Sequence, residues 1–382
     1  MTDDVGKRME ELSAEAVVDG LPEDGMMDIE AAPVGPQIAL DILARRLPKA
    51  SLHLHFSGSI RPSTLRLMAH ERGVDFGHGA AGPDALYDYR GFVKFIQDMR
   101  RSASLMRDTE STRRLALDVL GAEVDGGARH VEMMVTLGYY LDHGAEAHEF
   151  LGAIDSAFET AAEAWDLTGG VIVEFDRGSG GDRAREIAEI AGEARSRGMR
   201  VVGVGNDGDP LAVPFAALAP GYDVARDAGL KLCGHVDLPD DVAPALDMGL
   251  DRLDHGYAVL YDPALLERVV ASQVPFTICP TSNILQMPGL TPDFDSHALG
   301  GLVEAGVNVT IHGDDPPMFF TDLAQEYRAA TRTVGWGPEE LAATARRSLD
   351  AAWLDDDDRR ERWNAEMDAL LADPRWRLGS DD

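Results

Sequence analysis

The chain has 382 residues, which suits one large α/β barrel of ~250 residues or more carrying insertions. Hydrophobic residues make up 45% of it, enough for a sizeable core, and no run reaches the ~18 apolar residues of a membrane span. A formal net charge of −32 repels phosphate backbones and anionic lipids, so nucleic-acid polymers and membranes are poor partners, and the charge reads as solubility or adaptation to salt.

The opening MTDDVGKRMEELSAEA lacks the apolar stretch of a secretory signal, and a cytoplasmic location is expected. Residues 1–36, rich in Asp, Glu, Gly and Pro, read as a flexible acidic tail, and 37–382 as a single barrel domain. ALDILARRL predicts a short lead-in helix. Apolar runs rich in Val, Ile and Thr then predict strands at Ser51–His55, His130–Thr136, Gly170–Phe175, Val201–Gly205, Lys231–Val236, Arg252–His255, Pro275–Cys279 and Asn308–His312. Between most of them lie Ala-rich amphipathic stretches such as DRAREIAEIAGEARSRG, and the intervals from 56 to 130 and 131 to 170 leave room for further helices. Eight strand–helix units predict an α/β fold, a (β/α)8 TIM barrel with extra helices. The two cysteines, Cys233 and Cys279, cannot build a disulfide framework or a four-cysteine zinc site.

Active sites of such barrels sit at the C-terminal strand ends. Strand one ends in His53-Leu54-His55, and side chains two apart on a strand share a face, so both imidazoles can grip one ion. Strand five ends at His235, strand six at His255, and strand eight runs into Asp314-Asp315. Histidines with a carboxylate suit zinc and leave room for a water. Taken singly, an HxH in a strand, a lone histidine or a DDP turn usually has a structural explanation; their joint occurrence at four strand ends carries the reading. GVGNDG at 203–208 spells GxGxxG, but Asp207 and Asp209 would face a pyrophosphate, and Pro210 and Pro214 interrupt the helix a dinucleotide fold needs. His130-Val131-Glu132 spells the HxE of cytidine-type deaminases without its PCxxC partner, and Glu132 reads as part of strand two. The LxxEY stretch at Glu326 reads as helix packing.

LPKASLHLHFSGSIRPSTL, RLDHGYAV, CPTSN and VTIHGDDPPMFFTDLAQEY resemble, in order, the motifs of the adenosine deaminase family, and the resemblance runs from about residue 47 to about 356. It implies a hydrolase that replaces an amino group with water on a purine nucleoside, nucleobase or modified analogue. It implies one zinc ion (Zn2+) per chain, held by His53, His55, His235 and Asp314, that lowers the pKa of a water toward ~7. His255 would orient and deprotonate that water beside Asp314, and Asp315, Gly208, Ser57 and His55 would lie against the substrate.

The departures from the family pattern cluster around the substrate. The family's fifth strand ends in HAGE, whose Glu is a general acid; here the residues are His235-Val236-Asp237-Leu238, with Leu238 at the Glu position. Asp237 is the nearest carboxylate and the candidate replacement; Asp240 or Asp241 could fold in, or no acid is needed, or activity is lost. Ser57 stands where the family has a sugar-contacting Asp, and His312-Gly313 replaces Asn-Ser or Asn-Thr. Two other readings therefore stand beside deamination: a different zinc amidohydrolase reaction, on a cyclic amide or N-substituent, and a catalytically impaired ligand-binding relative. Oligomeric state is not encoded legibly.

Overall fold

A computed structural model describes residues 36–73, 92–106, 108–286, 291 and 293–376. The acidic segment 1–35 lies outside the described residues, and Pro36 already opens the helix Pro36–Arg46. The eight strands among the described residues are β1 Lys49–Ser51, β2 Ala128–Thr136, β3 Thr168–Asp176, β4 Val201–Asp207, β5 Lys231–Leu232, β6 Leu253–Asp254, β7 Phe276–Ile278 and β8 Val309–Ile311. Each overlaps its predicted run.

All neighbouring pairs are parallel. β1 to β5 form one continuous ladder and β6 to β8 another. Single parallel bridges close the two gaps: His235 opposite Asp254 joins β5 to β6, and Leu54 opposite Asp314 joins β8 to β1. The second seam is made by Asp314 N–H donating to His53 O at 3.0 Å and His55 N–H donating to Asp314 O at 3.0 Å. The result is the (β/α)8 barrel, with extra helices Pro62–Glu71, Phe92–Ala103 and Thr109–Asp125 between β1 and β2, and Leu137–Leu141 and Ala147–Trp165 between β2 and β3.

Alternation along the long strands sorts the side chains. Val131, Met133 and Val135 of β2 and Val171, Val173 and Phe175 of β3 are buried on the face opposite Glu132, Met134, Thr136, Ile172 and Glu174. Phe175 meets Tyr222 of the helix Ala219–Asp227 edge to face, with centroids 5.0 Å apart. Inside the barrel, Met134, Ile172 and Cys233 form an apolar layer, flanked by Val202 and Trp353. Also buried within the barrel, the Arg252 guanidinium pairs with Glu132 at 2.7 Å and stacks 4.1 Å from the Trp353 ring. Glu132 takes further hydrogen bonds from Trp353 N–H and His130 Nε2. The pair draws strands β2 and β6, on opposite sides of the barrel, toward one another.

Both partners are wholly buried, so removing one strands the charge of the other. Arg252→Met is expected to lower the unfolding free energy by about 3–5 kcal/mol, measured by urea titration against the parent protein.

Candidate active site

Every residue assigned to metal binding from the sequence lies at the C-terminal mouth of the barrel. His53 and His55 follow β1, His235 follows β5 and Asp314 follows β8. The ring centroids of His53, His55 and His235 stand 4.8–5.2 Å apart, and all three rings are buried.

The hydrogen bonds of the three rings fix which nitrogen faces inward. His235 Nδ1–H donates to Asn206 O at 2.5 Å. His55 Nδ1–H donates to Glu174 Oε2 at 3.1 Å. Thr277 Oγ1 spends its proton on Asp254 Oδ1 at 2.5 Å, so His53 Nδ1–H donates to Thr277 Oγ1 at 2.9 Å. With each Nδ1 donating, it is each Nε2 that faces inward, and in the neutral form of the ring that nitrogen is a bare lone pair. Those lone pairs converge. His55 Nε2 lies 3.2 Å from His235 Nε2, and Asp314 Oδ1 lies 3.4 Å from both His53 Nε2 and His55 Nε2. His53 Nε2 is buried without a hydrogen-bond partner. Acceptors so close repel unless a cation lies between them. Zinc bonds of 2.0–2.1 Å at tetrahedral angles put ligands about 3.3 Å apart, which is the spacing found here. The donor set therefore fits zinc. Cys279 also lies near His53 and His255, but burial pushes its thiol well up, which keeps it protonated and a poor ligand.

Two of the site residues, His255 and Asp314, have left-handed backbones, φ 63° and 65°, a conformation that costs energy for a residue with a side chain. Asp314 Oδ2 accepts from Ser282 Oγ at 2.5 Å and lies 3.9 Å from His255 Nε2. His255 Nδ1 accepts from the Asn283 amide at 3.1 Å, while Asn283 Oδ1 is taken by Tyr257 Oη and by Cys279 N–H. Ser282 and Asn283 sit on the short helix Pro280–Gln286, and Glu326 accepts from Thr281 N–H at 2.9 Å at its start. Glu326 thus does more than pack its helix.

The two adjacent aspartates are driven apart electrostatically. Burial alone would raise Asp314, but the imidazoles of His53 and His55 outweigh it and hold the carboxyl well below the usual range. Burial pushes Asp315 well up, His55 opposing and Asp314 reinforcing. Neither Asp315 oxygen has a hydrogen-bond partner among the described residues. Asp315 approaches the backbone so closely at Gly58 that a Cβ there would collide with the carboxylate, which explains a glycine at that position.

A cavity of about 160 Å³ opens beside these groups. His55, His235, His255, Asp314 and Asp315 line it, Phe95, Met99 and Pro210 supply apolar surface, and Asp207, Gly208 and Asp237 are also among its lining residues. Asp237 lines the cavity and Leu238 does not. Burial raises the Asp237 carboxyl to about 6. Of the alternative acids, Asp240 is exposed, and Asp241 gives both oxygens to Arg177 at 2.8 Å each. Gly208 lines the cavity, but its N–H donates to Asp207 Oδ1 at 2.6 Å. Ser57 is buried beside Tyr140 and is absent from the cavity wall.

Sequence reasoning missed Glu174, Thr277 and Asn206, which orient the three imidazoles. Only Glu174 left a trace, a carboxylate inside the apolar run VIVEF.

Comparison with known proteins places the chain in a family. The family model described as adenosine deaminase matches residues 48–367. The adenine deaminase of Agrobacterium fabrum is 32% identical over 82% of this chain and 96% of its own. The aminodeoxyfutalosine deaminase of Streptomyces avermitilis is 33% identical over 81% of this chain and 87% of its own. Among solved structures, an amidohydrolase from Burkholderia ambifaria with bound Zn superposes with a TM-score of 0.78 at 24% identity, covering 90% of this chain and 96% of that one. No helix among the described residues is long and apolar enough to cross a membrane.

Glu174 orients His55 without reaching the convergent lone pairs. Glu174→Gln is expected to weaken zinc binding ~10–100-fold, measured by competition with a chromogenic chelator.

Proposed function

The chain belongs to the adenosine deaminase family of hydrolases acting on C–N bonds, and from that premise we propose that it deaminates a 6-aminopurine, as the free base or substituted at N9. One zinc ion per chain would be held by His53, His55, His235 and Asp314. The convergence of the Nε2 atoms of His53, His55 and His235 with the Asp314 carboxylate, beside a cavity lined by His55, His235 and Asp314, carries this reading. When bound, zinc acidifies and polarises a water for attack.

The chain's own groups supply the rest. His255 Nε2 and Asp314 Oδ2 face the attacking water, with His255 held by Asn283 and Asp314 by Ser282. Asp315, kept protonated by burial, donates to N7 of the ring. Asp237 stands in for the family's glutamate and gives a proton to N1 as the water oxygen bonds to C6. One water proton passes through the His255–Asp314 pair to the amine, the C6–N bond breaks and ammonia leaves, and the second proton, released as the C6 hydroxyl becomes the 6-oxo group, returns to Asp237. The phenyl and thioether surfaces of Phe95 and Met99 give the ring an apolar bed.

Ammonia release is expected from adenine or an adenine nucleoside when the zinc-loaded protein meets a panel that also holds cytosine, guanine and cyclic amides. Silence on every adenine compound, with zinc still tightly held, would move the reading to another amidohydrolase reaction or to binding alone. Within the deaminase reading, Asp237→Asn is expected to lower kcat ~10²–10⁴-fold in steady-state assays, with KM little changed.

A further inference from the structure

Asp237 can act as the acid only if the loop after β5 turns residue 237, and not 238, into the cavity. We propose that Arg177 is the positioning residue that sets this register, acting through Asp241. The proposal rests on the assignment of Asp237 as the proton donor.

Arg177 follows β3 and its side chain is buried. Its Nη1 and Nη2 donate to the two Asp241 oxygens at 2.8 Å each, and its Nε donates to Val213 O at 2.7 Å. One guanidinium thus ties together the loops after β3, β4 and β5. Asp241 passes the constraint on. Its Oδ2 accepts from Leu238 N–H at 3.1 Å, and its own N–H donates to Leu238 O at 3.0 Å, which closes the turn 238–241. On the other side, His235 is tied to Asn206, and Val236 N–H donates to Asp254 O at 3.1 Å. Asp237 is the residue left between two fixed points, and its side chain lines the cavity. A planar fork bonded to a carboxylate through two donors fixes orientation as well as distance, which a lysine cannot do. Misplacing a reacting group by about 1 Å can cost ~10²-fold in rate.

The test is a double-mutant cycle on the zinc-loaded enzyme, with folding checked by thermal melting and zinc counted per chain. Arg177→Lys is expected to lower kcat ~10²-fold at unchanged zinc content, with KM moving far less. On an Asp237→Asn background the same change is expected to cost nothing further, because the group it positions is gone. Asp241→Asn keeps the shape of the turn while breaking the paired fork, is expected to behave the same way, and decides the matter if Arg177→Lys does not fold. Full kcat in Arg177→Lys, or losses that multiply with those of Asp237→Asn, would overturn the positioning role while leaving Asp237 as the acid. An Asp237→Asn enzyme with parental kcat would overturn the acid assignment, and the positioning role with it.

Discussion

The seam between β8 and β1 is where fold and site become one object. The two hydrogen bonds that close the barrel there join the backbone of Asp314 to the backbones of His53 and His55, so the same three residues are fixed as strand partners and aimed as ligands. The opposite closure repeats the arrangement, with His235 bridged to Asp254 and Asp254 accepting from the Thr277 hydroxyl that orients His53. Because backbone pairing sets the positions, the convergence of the imidazoles costs little further side-chain entropy, and it persists as long as the barrel stays shut.

Electrostatics then divides labour among groups that look alike in the sequence. Asp314 and Asp315 are neighbours, and burial pushes both carboxyls up, yet the imidazoles facing Asp314 bring it well below the usual range while Asp315 stays well above it. That split gives one carboxylate for a cation and one hydrogen-bond donor for a ring nitrogen. Thr136 links Glu174 and Asp207 through one hydroxyl, at 3.2 and 2.7 Å, so buried negative charge continues behind the imidazoles. Surplus negative charge in a low-dielectric site favours occupation by a cation.

The barrel and the clustering of His53, His55, His235 and Asp314 at its mouth were legible in the sequence because both rest on local patterns, namely apolar runs and polar residues at their ends. The limits of those runs were less legible. The first strand's ladder covers Lys49–Ser51, two residues ahead of the predicted start, and at Leu52 the N–H donates to His312 Nδ1 at 3.1 Å instead of to a neighbouring strand. β5 and β6 shrink to two residues each, since their continuations are bent toward the site and His255 takes a left-handed backbone. Arg177–Asp241, 64 positions apart, and the Glu174 contact to His55, 119 apart, are pairings no local pattern announces. Which carboxylate near Leu238 enters the cavity depends on a turn that only the three-dimensional structure displays.

X-ray absorption of the zinc-loaded protein addresses the metal centre most directly. Three imidazoles and a carboxylate predict a shell of nitrogen and oxygen near 2.0–2.1 Å with the outer-ring scattering of several histidines. A sulfur at about 2.3 Å would place the ion on Cys279 and contradict the account.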